Sequence, residues 1–229
     1  MCFSPEASFT GGAIISTIGV LTVKKVHKPS QILFASIPLF FGFQQFAEGS
    51  LWLMLRSGDI NLFRETSTYI FLIMAQVIWP VMIPLSVLFL EESKRRKKIL
   101  VGLLIVGIIL SAYYAFCLAS YTVTPVIEGY HIKYQNDFPH SFAMTAFIFY
   151  LIATLIPLFV SSYRKTHLLG ILMTLSCIVT AIFFTQFLTS VWCFFAALIS
   201  VVILWILTDV KKEFNLERLA MLKIHKHNQ

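Results

Sequence analysis

Glu48 is the residue of this chain whose chemistry conflicts most with its setting. It lies in Phe43-Gln44-Gln45-Phe46-Ala47-Glu48-Gly49-Ser50-Leu51-Trp52, within an otherwise uncharged apolar run over 32–55. A carboxyl group at membrane depth is costly, and it persists where it is protonated, paired or facing a wet cavity. Gln44, Glu48 and Trp52 are four apart and share a helical face, with Gln45 beside it. Gln76, on the next apolar run, falls at the same depth. Together they make a polar layer able to bind a ligand. Kept neutral by desolvation, Glu48 could donate a hydrogen bond or act as a general acid; beside a metal ion it would ionise. The plainer alternative is a carboxyl group hydrogen-bonded to glutamines as glue between helices, worth about 1 kcal/mol per bond.

Other reactive side chains fall toward the same side. Cys2 precedes the first apolar run, His140 opens the fifth, and Trp192-Cys193 lie about one turn into the last. Glu48 and His140 are the candidate catalytic residues. Gln44, Gln45, Trp52, Gln76 and Trp192 are the candidate ligand contacts. Cys2 and Cys193, with that imidazole and carboxylate, could hold a metal ion or haem. Each comes from a different segment, so no local spacing signature joins them. Cys117 and Cys193 also read as small core residues or as a disulfide facing an oxidising compartment.

These residues must be positioned by membrane helices. The chain has 229 residues, 58% hydrophobic and 13% charged, and a mean hydropathy of +0.81. Soluble domains carry about a quarter charged residues, so an all-α integral membrane protein is expected. The net charge of +7 sits in basic runs flanking apolar spans, where topology and anionic lipid at the cytoplasmic face account for it. Those runs lack interleaved aromatics, which argues against nucleic acid. No positive charge precedes the first apolar segment, so it does not read as a signal peptide. Ser4-Pro5-Glu6 reads as a helix start.

Seven spans of about 20 apolar residues are read at 7–23, 32–55, 68–90, 99–121, 138–161, 168–186 and 188–208. Loop charge supports that count. Lys and Arg number three at 24–28, five at 94–98, two at 164–165 and five in the tail; the alternate side holds only Arg56, Arg64 and Lys133. Merging the last two spans would level this asymmetry to 10 against 8. The positive-inside rule then puts the N-terminus outside and the C-terminus in the cytoplasm. Residues 1–209 form the membrane domain, and 210–229 a basic tail with the pattern of an interfacial helix. Between spans four and five, alternation around Glu128-Gly129 predicts a short outer β-hairpin. Pro80 should free the carbonyl of Gln76. Ser8, Gly12, Ser16 and Gly19 make a small-residue stripe for helix packing.

Three segments carry a resemblance: Met1-Cys-Phe-Ser4 with Ala7-Ser8-Phe9, Gln44-Gln-Phe-x-Glu48-Gly-x-x-Trp52, and Ser190-Val-Trp-Cys-Phe-Phe-Ala-Ala197. The chain resembles a family of uncharacterised, mostly bacterial, multi-span membrane proteins that begin Met-Cys-Phe-Ser. The resemblance implies a bacterial inner-membrane location and favours Cys2, Glu48, Trp52, Trp192 and Cys193. It implies no reaction. A retinal protein is disfavoured, because Lys211 and Lys212 lie beyond the last span. The leading expectation is an outward-facing pocket, centred on Glu48, for a small ligand, lipid or metal. A membrane-embedded enzyme comes next, with Glu48 as acid or base and Cys2, His140 or Cys193 as nucleophile or ligand. A proton- or cation-coupled transporter ranks last, because 81–90 and 99–110 look dry.

Overall fold

The computed structural model describes residues 4–57 and 62–208. Cys2 and the 210–229 tail lie outside the described residues. Seven helical rods run through the described part: α1 (Pro5–Lys24), α2 (Ile32–Ser57), α3 (Leu62–Leu90), α4 (Lys94–Ser120), α5 (His140–Val160), α6 (Arg164–Phe183) and α7 (Thr185–Thr208). Helix α1 starts as its sequence dictates. The Ala7 N–H donates to Ser4 Oγ at 3.3 Å and Pro5 occupies the first turn.

Contacts at the rod ends show that neighbours alternate in direction. At one end Glu6 meets Arg56 at 3.7 Å, joining the start of α1 to the last turn of α2. There too Lys133 donates to Gln186 at 2.8 Å. At the other end Lys28 meets Glu92 at 3.1 Å, and the Lys165 ammonium sits 4.1 Å from the Trp205 ring centroid. The second end is the basic one.

Six rods are long and apolar enough to cross a membrane, and α2 is not among them. The reason is its polar content, Gln44, Gln45 and Glu48, which dilutes an otherwise apolar helix. All three are fully buried, so α2 spends its polar groups inside the bundle. The outer faces of α4 and α6 are apolar instead: Ile109 and Ile182 are each 66% exposed and Phe116 62%. Exposed apolar surface on this scale suits lipid rather than water. The whole is an all-α architecture compatible with a multi-pass membrane protein.

Two strands, β1 (Val123–Glu128) and β2 (His131–Asn136), pair antiparallel between α4 and α5. Glu128 faces His131 across a two-residue turn, and Gly129 takes a φ of +63°, the left-handed region that glycine enters without strain. Ile132 is fully buried against Leu51 and Trp52, so the hairpin covers one end of α2.

The larger apolar core joins Phe34, Phe41, Val87, Leu100, Leu158 and Ile203 toward the basic end. A smaller one, with Phe71, Leu72, Leu118 and Cys193, lies nearer the hairpin. The polar layer sits where the two meet. The small-residue stripe of α1 packs on α2: a Cβ at Gly42 would stand 2.1 Å from Ser16 Oγ and 3.1 Å from the Gly12 carbonyl oxygen.

Candidate functional site

The site is shaped by a widened turn in α3. Residues Ile73–Ile78 are π-helical, and the Trp79 N–H donates to the Met74 carbonyl. Such bulges occur often at functional sites. Pro80 and Pro84 follow, and neither has an N–H to continue the ladder. Carbonyls in the bulge find partners on other helices. Tyr150 Oη donates to Ala75 O and Ser111 Oγ to Val77 O, each at 2.6 Å. Helix α4 reaches the bulge closely because Gly107 has no side chain: a Cβ there would lie 1.9 Å from Pro80 O. This is the re-satisfaction that lets a membrane helix carry proline.

Trp79, next to the bulge, points at α2. Its indole N–H donates to Gln44 Oε1 at 2.8 Å, and its ring stacks on Phe41 at 3.9 Å. One turn along α2, the Ser190 hydroxyl of α7 donates to Glu48 Oε1. Cys193, three residues after Ser190, lies beside the Gln44 amide and near Glu48. Gln44 thus ties α2 to both α3 and α7, and Glu48 ties α2 to α7. Gln45 turns toward α1, its Cβ 3.4 Å from where a Gly12 Cβ would be. Trp52 lies under the hairpin with the Arg56 guanidinium 5.5 Å from its ring.

Two cavities meet at Tyr150, Trp192 and Cys193. The first, with about 380 Å³ of empty space including its open mouth, is bordered also by Gln76, Tyr114 and Thr189. Gln76 Oε1 and Trp192 Nε1 are buried with no hydrogen-bond partner among the described residues. The second, about 520 Å³ on the same measure, is walled by Phe41, Ile83, Leu158, Met173 and Ile203. Glu48 lines neither cavity and is fully buried.

A model of a family of unknown function, DUF6629, matches residues 1–216. The chain belongs to that family. The DUF6629 match spans every described helix, so the Glu48–Ser190 pair and both cavities fall inside it. Searches of curated proteins and of solved structures each found no match.

Of the residues singled out from this DUF6629 sequence, the fold brings Gln44, Glu48 and Cys193 together and sets Gln76 and Trp192 around an adjoining cavity. It does not bring His140 to them, since His140 is exposed at the first position of α5. Among the described residues no three His, Cys, Asp or Glu side chains converge to hold a metal ion, and Cys2 lies outside them. Cys117, Cys177 and Cys193 are free thiols and buried. Sequence reasoning passed over Ser190, Trp79 and Tyr150. Ser190 opens the Ser-Val-Trp-Cys segment, and its hydroxyl spacing from Cys193 was the available signal. Trp79 precedes Pro80, and the two prolines of α3 were a signal for freed carbonyls and donors near them.

Proposed function

We propose that this chain is a seven-span protein of a bacterial inner membrane, with its N-terminus outside and C-terminus in the cytoplasm, that binds a small ligand in the outer half of its bundle. The alternation of rod ends supports the count. The basic end, with Lys24, Lys25, Lys28 and the 94–98 run, then faces the cytoplasm, and the hairpin covers the outer end. The observation that carries ligand binding is Trp192. It is 7% exposed and borders the cavity at Gln76, yet its indole N–H has no partner among the described residues. A buried donor left unmade costs about 1–3 kcal/mol, a cost that a bound acceptor removes. Glu48, Ser190 and Gln44 form the polar wall behind Cys193.

Native mass spectrometry of the gently solubilised protein tests this. The wild type should carry a co-purifying small molecule. Trp192→Phe, which removes the donor and keeps an aromatic filler, should lower its occupancy about tenfold, the worth of one hydrogen bond. A wild type with no adduct, or an adduct kept equally by Trp192→Phe and Gln76→Leu, would overturn the reading.

An enzyme is the second reading. The Ser190 hydroxyl on the Glu48 carboxyl group, with the Cys193 thiol one turn away, has the form of a nucleophile with an adjacent base. Binding is favoured over it because Glu48 and Ser190 are both fully buried and line neither of these two cavities.

A further inference from the structure

The two cavities differ in chemistry, and that difference names a class of ligand. Resting on the binding role proposed above, we infer that the ligand is an uncharged single-chain amphiphile with a hydroxyl-type head group: the head sits at Gln76 and Trp192 and the chain runs toward the basic end between Phe41, Leu158 and Ile203.

The threonine and serine hydroxyls of the apolar chamber are already committed. Thr154 Oγ1 donates to Tyr150 O at 2.7 Å and Ser200 Oγ to Ala197 O at 2.6 Å. Both residues line that chamber, so these hydroxyls are turned back on their own helices, and apart from Trp192 and Cys193 at the junction the remaining wall is hydrocarbon, aromatic rings and thioether. A ligand there gains by burying apolar surface and by nothing else. In the upper chamber the Tyr150 hydroxyl is likewise committed, to Ala75 O. Gln76 Oε1, an acceptor, and Trp192 Nε1, a donor, are not. A head group that both donates and accepts satisfies them, as a hydroxyl does.

Charge argues against the alternatives. Among the described residues no Lys, Arg or His lines the upper chamber, so a carboxylate or phosphate head there would lack a counter-ion from them. Size sets the chain. From Cys193 to Ile203, both on the chamber wall, a helix rises roughly 15 Å.

The test uses the full-length protein in lipid nanodiscs and dodecanol carrying a mid-chain diazirine. After irradiation, peptide mapping should find label on Leu158, Met173 or Ile203. Excess unlabelled dodecanol should reduce it at least tenfold, and excess dodecanoate should reduce it far less. Ala196→Phe, which fills the apolar chamber, should reduce it similarly; the competition on wild-type protein stands if that variant does not fold. Label confined to lipid-facing positions such as Ile109 and Ile182, or label unmoved by competitor, overturns the inference. So does equal competition by dodecanoate. A chain-free adduct in native mass spectrometry without chamber label overturns this inference and leaves ligand binding standing. Absence of both adduct and label overturns both.

Discussion

Glu48 and Glu91 are buried to the same degree, at 0% and 1% exposure, yet the fold holds them by different means. Glu91 caps the loop after α3, where backbone N–H groups are not used by a helix. Its carboxylate accepts from the Ser162 N–H and Ser162 Oγ, both at 2.6 Å, from the Ser93 N–H at 2.9 Å and from the Glu92 N–H at 3.0 Å. It pins the α3–α4 loop to the α5–α6 loop. Glu48 lies mid-helix, where neighbouring backbone donors are committed to the i−4 ladder. Side chains from elsewhere in the bundle must solvate it, and the Ser190 hydroxyl donates to it. A loop can therefore hold a buried acid with its own backbone. A span needs a partner helix, so the Glu48 arrangement depends on how α2 and α7 sit together. That makes Glu91 a pin between loops and Glu48 a tie between helices.

The comparison breaks most directly at Glu91. Glu91→Ala removes the acceptor of four hydrogen bonds, and bonds to a charged group carry about 1.5–3 kcal/mol each before water replaces part of them. A net loss of about 3 kcal/mol is expected, read by denaturant unfolding in detergent. Glu48→Ala should cost less. Equal costs would mean that Glu48 is as much a structural pin as Glu91.

Acid separates the pair further. Burial pushes the Glu91 carboxyl group up, but the Ser162 hydroxyl and the N–H groups of Ser93, Ser162 and Glu92 together hold it below the ordinary carboxyl range. A depressed folded-state pKa contributes stability that is complete above the unfolded-state value and is lost as pH falls through the folded one. The wild type should therefore lose stability below the ordinary carboxyl range, and Glu91→Gln should show a shallower acid slope over that interval. Parallel slopes in the two proteins would remove Glu91 as the acid-sensitive pin.

The helices were legible in the sequence because apolar runs and loop charge are local signals. The 32–55 run matches α2 to within two residues, and the polar layer on it was visible in Gln44, Gln45 and Glu48. Its partners were not. Ser190 is 142 residues from Glu48, and which helix lies beside which is set by tertiary packing. The π-helical segment was hidden for a related reason. Pro80 marks a freed carbonyl, but the register shift that places Trp79 on Gln44 depends on Tyr150 and Ser111 arriving from α5 and α4. Gln76, read at the depth of Glu48, borders the cavity beside Cys193.

The smallest expected effect sharpens the comparison most. Glu48→Gln keeps the shape of the side chain and an acceptor for the Ser190 hydroxyl, so stability should change by less than about 1 kcal/mol. Glu48→Ala and Ser190→Ala should each remove the bond between α2 and α7, and the cycle built from them should show a coupling of about 1 kcal/mol or more. Ligand occupancy should respond differently. Cys193 on the chamber wall lies near the carboxyl group, so Glu48→Gln should alter occupancy by native mass spectrometry although the fold is intact. If Glu48→Gln and Glu48→Ala both keep full occupancy and differ only in stability, Glu48 is glue between α2 and α7. The distinction from Glu91 would then be one of surroundings and no longer one of role.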